Sequence, residues 1–315
     1  MAQPTQTFDT YDSKGDRESL SDIIHNISPM DFPFQSMCDK GKATATYTEW
    51  QTDELAAAAT NNAVIEGDEA TLDASVATTR VGNYSQILDK TVVITGTQEV
   101  INKAGRKSEL AYQVAKKGKE LKRDIEATLC SNQAQNAGNA TTARKFGSLG
   151  SWITTNDSFG AGGDGSPTGN GSDARTDRTQ RALTESLLKT VIQSCWTEGG
   201  EPSCVMVGPF NKTVISGFTG NSTRFDKGED KRLTASIDVY ESDFGALEIT
   251  PNRFSRDRDA YVLDKSMWEI SYLRPFQQKE LSKTGDSEKR QMLVEMTLLS
   301  RQQKASGLVA DLTTS

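Results

Sequence analysis

The sequence predicts an α+β chain whose first domain, built around one very long helix, is interrupted by an inserted α/β domain. Residues 97–135 contain no proline and carry apolar or small side chains at helical spacing. Strand-like segments lie before this helix, in residues 42–95, and after the insertion, in residues 266–300. Residues 181–264 are predicted to have helices and strands of their own, among them a short buried strand in SCVMVG and a helix opened by Pro209, which indicates a separate compact unit.

Length and net charge limit the classes of protein to which the chain can belong. The chain has 315 residues, which predicts two domains, and its net charge is −7. An acidic chain is not expected to bind nucleic acid generally, although it can surround DNA without gripping it. The sequence has no apolar run approaching about eighteen residues and no signal peptide at its amino end, so we expect no membrane partner.

The sequence offers little for catalysis. Its single histidine, His25, lies in a polar arm, and its four cysteines have no Cys-x-x-Cys spacing. We therefore expect no catalytic residues, no cofactor and no metal site. The cysteines are expected to remain thiols in a reducing cytoplasm; they are Cys38, Cys130, Cys195 and Cys204.

Residues 1–41 are predicted to form an extended arm. Its second half alternates isoleucine, methionine and phenylalanine with Pro29 and Pro33. This part is too apolar to be exposed to water and too often interrupted by proline to fold alone. It needs a surface, in its own domain or in a neighbour. Residues 42–96 are predicted to form a long β-ribbon with two polar, small faces, which is marginal unless it packs on the core or on another subunit. An acidic cluster lies at its tip: Glu66, Asp68 and Glu69.

Residues 97–135, if wholly helical, would be about 58 Å long. The stripe predicted to be buried comprises Val100, Ala104, Ala111, Val114, Ala115, Gly118, Leu121, Ile125 and Leu129. The opposite side carries a basic row, Lys116, Lys119 and Arg123, either a solvated face or a docking surface for an acidic partner.

The Gly-rich segment 155–176 lacks the ending of a phosphate-binding loop and is predicted to be a surface loop. Near the carboxyl end, Met267–Leu273 and Arg290–Ser300 are predicted strands that return as a hairpin and cover the long helix.

The order of these elements resembles the major capsid (major head) proteins of tailed double-stranded DNA bacteriophages, which have the Hong Kong 97-type fold. Three stretches carry the resemblance: Ile24–Met37, Lys90–Lys119 and Trp268–Ala305. It implies an N-terminal arm (1–41), an extended loop (42–96), a peripheral domain (97–180, with spine helix 97–135 and Gly-rich loop 155–176), an axial domain (181–265) and peripheral return strands with the C-terminus (266–315).

The resemblance also implies function and partners. The chain would be a structural subunit of an icosahedral phage head, located in the virion after assembly in the host cytoplasm. It would associate with itself as hexamers and pentamers, with a portal protein, possible decoration proteins and, by non-specific proximity, packaged double-stranded DNA. The apolar arm begins near residue 20, so a cleaved scaffolding segment is not expected and any scaffolding protein would be separate. In the namesake of the fold, subunits are cross-linked through a lysine on the extended loop. Here no lysine lies between Ala43 and Asp89, so we expect a non-covalent shell.

Two other interpretations stay open from the sequence: an encapsulin-type nanocompartment shell of the same fold, and an enzyme or soluble binding module. For the shell, we hypothesise that the acidic cluster of one subunit approaches the basic row of a neighbour; alternatively, both clusters are only solvated.

Overall fold

The computed structural model describes residues 30–70, 72–103, 105–218 and 238–315. Its helices are α1 (Pro33–Met37), α2 (Gly96–Val100), α3 (Glu109–Leu129), α4 (Glu185–Thr197) and α5 (Pro209–Ser216). Its strands are β1 (Asp39–Lys42), β2 (Tyr47–Thr52), β3 (Thr79–Tyr84), β4 (Gln86–Thr95), β5 (Asp157–Ser158), β6 (Cys204–Val207), β7 (Val239–Ser242), β8 (Gly245–Pro251), β9 (Ala260–Leu263), β10 (Trp268–Glu280), β11 (Ser287–Ser300) and β12 (Gly307–Val309). None of the described helices is long and apolar enough to cross a membrane.

The first sheet has four strands in the order β1-β10-β11-β4. Strands β10 and β11 form the predicted antiparallel hairpin, and β4 pairs antiparallel with β11 from Gln86 to Thr95. Val294, Met296 and Leu298 of β11 are fully buried and belong to the same apolar core as Leu121, Ile125 and Leu129. The return strands therefore cover the helix, and a Cβ on Gly118 would lie 2.9 Å from the Met292 methyl carbon.

The predicted continuous helix over 97–135 is wrong. The structure has a short helix α2, a break after Val100, and a 21-residue helix α3 from Glu109 to Leu129. Ser108 caps α3 by accepting a hydrogen bond from the Ala111 amide, and the Glu99 carboxylate accepts from the Glu109 and Leu110 amides. These two caps satisfy amides that would otherwise bond within a longer helix.

The predicted stripe is buried only in its carboxyl-terminal half. Leu121, Ile125 and Leu129 are fully buried. Ala111 and Ala115 are exposed, and Val100, on the separate helix α2, is 87% exposed. The last two turns of α3 therefore supply most of the apolar contact with the sheet. Ala104 lies outside the described residues.

The described part of the N-terminal arm lies on its own chain. Phe34 of α1 is fully buried, with its ring centroid 6.2 Å from that of Trp268. Strand β1 then pairs in parallel with β10, Asp39 opposite Glu269. The rest of the predicted arm, residues 1–29 with His25, lies outside the described residues.

The second sheet has six strands in the order β5-β12-β9-β6-β8-β7. Its centre is the insertion predicted for 181–265, and the predicted buried strand at β6 and the helix opened by Pro209 are both confirmed. Two strands come from outside that range: β5, and β12 from the carboxyl end. Assigning all of 266–315 to the first unit was therefore wrong for residues 307–309. Residues 219–237 lie outside the described part of the insertion.

Candidate assembly surfaces

The extended loop begins as a two-stranded ribbon. Strands β2 and β3 pair antiparallel from Tyr47–Tyr84 to Thr52–Thr79. The ribbon predicted for residues 42–96 is therefore too long, because residues 53–70 and 72–78 are irregular and β4 pairs with β11 of the first sheet. Trp50 on the ribbon packs against the buried Trp152 of the body, with ring centroids 5.3 Å apart. The base of the ribbon thus shares the core, whereas an isolated two-stranded ribbon would be marginal in water.

Two buried polar side chains fix the end of the ribbon to the first sheet. The Asn83 amide donates to the Leu298 carbonyl at 2.7 Å and its oxygen accepts from the Gly147 amide at 2.7 Å. Ser85, the residue between β3 and β4, donates its hydroxyl to Glu295 at 2.8 Å. The direction in which the ribbon leaves the body is therefore set by hydrogen bonds sealed from water.

Glu295 joins three parts of the chain at this base. It is 3% exposed, and one carboxylate oxygen accepts from Arg144 while the other accepts from Arg274, both at 2.7 Å. Two guanidinium groups compensate the buried carboxylate, which is the condition under which a buried charge is tolerated.

Beyond the ribbon strands, residues 53–70 and 72–78 are irregular and exposed. Residues 65–68 form a turn, in which the Asp68 amide donates a hydrogen bond to the Ile65 carbonyl at 3.1 Å. Gly67 within this turn has a φ of 83°. The segment 53–78 carries six acidic residues and no lysine or arginine. It also exposes large apolar side chains: Leu55 (99%), Val64 (86%), Ile65 (77%), Leu72 (94%) and Val76 (87%).

The structure places the acidic cluster and the basic row on separate surfaces of one chain. Glu66, Asp68 and Glu69 are exposed beside the turn, and Lys116 and Lys119 are exposed on α3. Among the described residues no ion pair joins the two clusters, so the structure leaves their predicted contact untested. Both are accessible to another subunit.

Arg123 is less available than its place in the row predicts. It is half-buried, and its guanidinium carbon lies 5.6 Å above the centre of the Phe254 ring. A cation over an aromatic face is attracted by the ring quadrupole, which holds the side chain down. Lys116 and Lys119 are therefore the two residues of the row whose side chains are exposed to solvent.

An arginine–aspartate network, which the sequence analysis missed, holds the Gly-rich segment against the second sheet. Arg175 pairs with Asp157 at 2.6 Å with both side chains buried, and Arg256 binds both carboxylate oxygens of Asp177 at 2.6 and 2.8 Å. The predicted surface loop 155–176 is thus irregular apart from β5, yet anchored. The alternating charges in 173–178 and 256–259 are the sequence signal that could have revealed it.

Asp311, near the carboxyl end, belongs to the same network. Burial alone would raise the pKa of Asp311, but the Arg178 and Gly160 amides and the Arg258 guanidinium together lower it below its ordinary value. Arg258 donates to this carboxylate at 2.8 Å. The network therefore also ties the carboxyl-terminal segment to the second unit.

The comparisons with known proteins agree with this architecture. The family model described as the SU10 major capsid protein matches residues 3–313. The chain belongs to this family. A major capsid protein of Escherichia phage Phieco32 is 29% identical over 350 aligned residues, covering 98% of this chain and 97% of the relative.

Solved phage capsids share the fold at low identity. The Cyanophage A-1(L) capsid asymmetric unit matches with a TM-score of 0.69 and 12% identity, covering 97% of this chain and 98% of the other. The capsid of a native GTA particle matches with a TM-score of 0.64 and 10% identity, covering 96% and 98%. The Hong Kong 97-type fold predicted from the sequence is thereby confirmed.

This major capsid protein is a structural subunit of a phage shell and resides in the virion. The nanocompartment interpretation is not favoured by the family or by the curated relative.

Proposed function

We propose that this subunit assembles into hexamers and pentamers, which build an icosahedral shell around double-stranded DNA. The observation that carries the proposal is the exposure of residues 53–70 and 72–78. This segment projects apolar side chains such as Leu55 and Leu72 fully into water, and such exposure typically marks an interaction site. In a capsomer, the neighbouring copy of the chain supplies a partner for this segment, because symmetric assembly repeats the same contact around an axis.

We propose that the acidic cluster of the loop contacts the basic row of the neighbouring subunit. All charged residues of segment 53–78 are acidic. Lys116 and Lys119 are exposed to solvent. Exposed ion pairs contribute about 0–1 kcal/mol each, so they would set the register of the loop. The apolar side chains would supply most of the affinity.

Reversing the acidic cluster tests this contact. We expect Glu66→Lys with Asp68→Lys and Glu69→Lys to impair assembly without unfolding the subunit, because all three side chains are exposed. Shell yield, measured by sedimentation, should recover when Lys116→Glu and Lys119→Glu are added. As a control, Asp53→Lys with Asp73→Lys changes the charge of the same loop outside the cluster and should impair assembly less. Normal shells from the triple reversal would refute the pairing.

The assembly itself is tested by sedimentation velocity of the purified chain, with electron microscopy and nucleic acid extraction of the fastest fraction. Closed shells or capsomer-sized rings are expected, and shells isolated from infected cells should contain double-stranded DNA. A compact monomer at every concentration, also after coexpression with the other head proteins, would contradict the proposal.

The shell is proposed to be held without covalent cross-links, since the segment from Ala43 to Asp89 has no lysine. When mature particles are boiled in denaturant, this subunit should run on a gel as one band near 34.3 kDa, separate from the bands of other head proteins. A ladder of covalent oligomers would show this expectation to be wrong.

Further proposed partners are a portal protein, a separate scaffolding protein and decoration proteins, with assembly in the host cytoplasm. A solved relative in fold is titled as the major capsid proteins and decoration proteins of Phage G, at a TM-score of 0.52. We propose a purely structural role without catalysis, supported by the description of the family as a capsid protein.

A further inference from the structure

The carboxylate of Glu126, on the last turn of α3, is the meeting point of three parts of the chain. Oε1 accepts from the Phe34 amide at 2.8 Å and from the Asn252 side chain at 2.8 Å. Oε2 accepts from the backbone and the side chain of Gln35, both at 3.0 Å. The N-terminal arm and the loop after β8 therefore share one acceptor group.

This carboxylate is sealed from water. Glu126 is 0% exposed, Phe34 is 0% and Asn252 is 1%. In the described part of the chain no lysine or arginine pairs with Glu126, so N–H donors alone compensate its charge. Burial raises the pKa of Glu126, and the hydrogen bonds from Phe34, Gln35 and Asn252 oppose this rise. Each donor thus stabilises the ionised carboxylate, and the ionised carboxylate is the acceptor for the other donors.

The arm depends on this acceptor for its local order. Helix α1 is only five residues long, and the amides of its first turn have no partner within the helix. Glu126 accepts from two of them, those of Phe34 and Gln35. On the other side, Asn252 also accepts from the Phe254 amide at 2.9 Å, so the same side chain shapes the loop that follows β8.

We propose that Glu126 couples the docking of the N-terminal arm to the seating of the inserted unit. When Asn252 withdraws, no water replaces its hydrogen bond, and the buried charge becomes more costly. If the carboxyl group then takes up a proton, it becomes a weaker acceptor for the Phe34 and Gln35 amides, and if it leaves its site, both amides lose their acceptor. Because coupling is reciprocal, loosening the arm loosens the loop around Asn252 by the same factor.

Hydrogen exchange on the full-length chain tests this coupling. Asn252→Ala should speed the exchange of the Phe34 and Gln35 amides by about fivefold or more. Asn156→Ala is the matched control: Asn156 is also a buried asparagine, but it donates to the Lys304 and Ser306 carbonyls and not to Glu126 or the loop that follows β8. It should leave both arm amides unchanged. Unchanged arm exchange in Asn252→Ala, or equal acceleration in both variants, would overturn the proposal.

A second pair of variants decides the matter if Asn252→Ala does not fold. Gln35→Ala removes one donor from the half-buried arm and should speed exchange of the Phe254 amide. Ser36→Ala removes a hydroxyl bonded to the Phe32 carbonyl, within the arm, and should not. Equal exchange at Phe254 in the two variants would refute the coupling. The coupling lies within one subunit, so its failure would leave the proposed shell contacts intact.

Discussion

Replacing Trp152 by alanine is expected to destabilise the subunit by about 3–5 kcal/mol, the range for a buried tryptophan. The side chain is 1% exposed and its indole N–H donates to the Gly147 carbonyl at 3.1 Å. It leaves no room for a side chain at Gly171, where a Cβ would lie 2.7 Å from the ring. The packing is therefore tight, and the deletion leaves a cavity that the surroundings only partly fill.

The same substitution should also loosen the ribbon, since Trp50 packs on Trp152. Urea unfolding of the unassembled chain measures the stability, and proteolysis within strands β2 and β3 measures the loosening of the ribbon. Trp196→Ala is the matched control, because Trp196 is 57% exposed and packs against Phe244 at the surface. It should cost about 1 kcal/mol or less. Equal losses in both variants would contradict this account of the core.

Where a signal is local, the sequence predicted the fold well. The strand at β6 and the helix begun by Pro209 follow from a short apolar run, a glycine and a proline at a first helical position. The β10–β11 hairpin follows from alternation and a glycine turn, although β10 continues past Pro275 to Glu280. Register shifts between Tyr272 and Gln277 absorb the missing amide of that proline.

The long helix was over-predicted because periodicity continues across a break. Gly105 has φ 74°, a left-handed conformation that ends regular helix, and Ser108 begins α3 with a capping side chain. Both residues are visible in the sequence. The contribution of Glu99 as a second cap is not, since it depends on how the chain folds back between α2 and α3.

The candidate surfaces show the same limit. Exposure of the acidic cluster and of Lys116 and Lys119 was predictable from their polar settings. The aromatic partner of Arg123 was not, because Phe254 comes from the other unit. The importance of Glu126 was equally hidden, since helical periodicity shows which face is buried but not which distant donors meet there.

Removing the guanidinium of Arg175 should be about as damaging as removing Trp152. Arg175→Met would leave the Asp157 carboxylate buried without its cation, which typically costs 3–5 kcal/mol (about the stability of a weak domain). The two side chains are 2% and 5% exposed and lie 2.6 Å apart. Arg175 also donates to the Ile153 carbonyl at 2.9 Å, so its loss removes a second contact between the Gly-rich segment and the body. Urea unfolding of the unassembled subunit measures the cost.

Two further variants separate the charge from the packing. Arg80→Met removes an exposed arginine, 69% exposed and 3.0 Å from Glu49, and should change stability by about 1 kcal/mol or less. Adding Asp157→Leu to Arg175→Met removes the uncompensated charge and should recover much of the loss, because buried ion pairs can often be replaced by apolar side chains. If the double variant is no more stable than Arg175→Met, then the hydrogen bond to Ile153 and the packing around the guanidinium hold this segment. In that case the pairing with Asp157 contributes little.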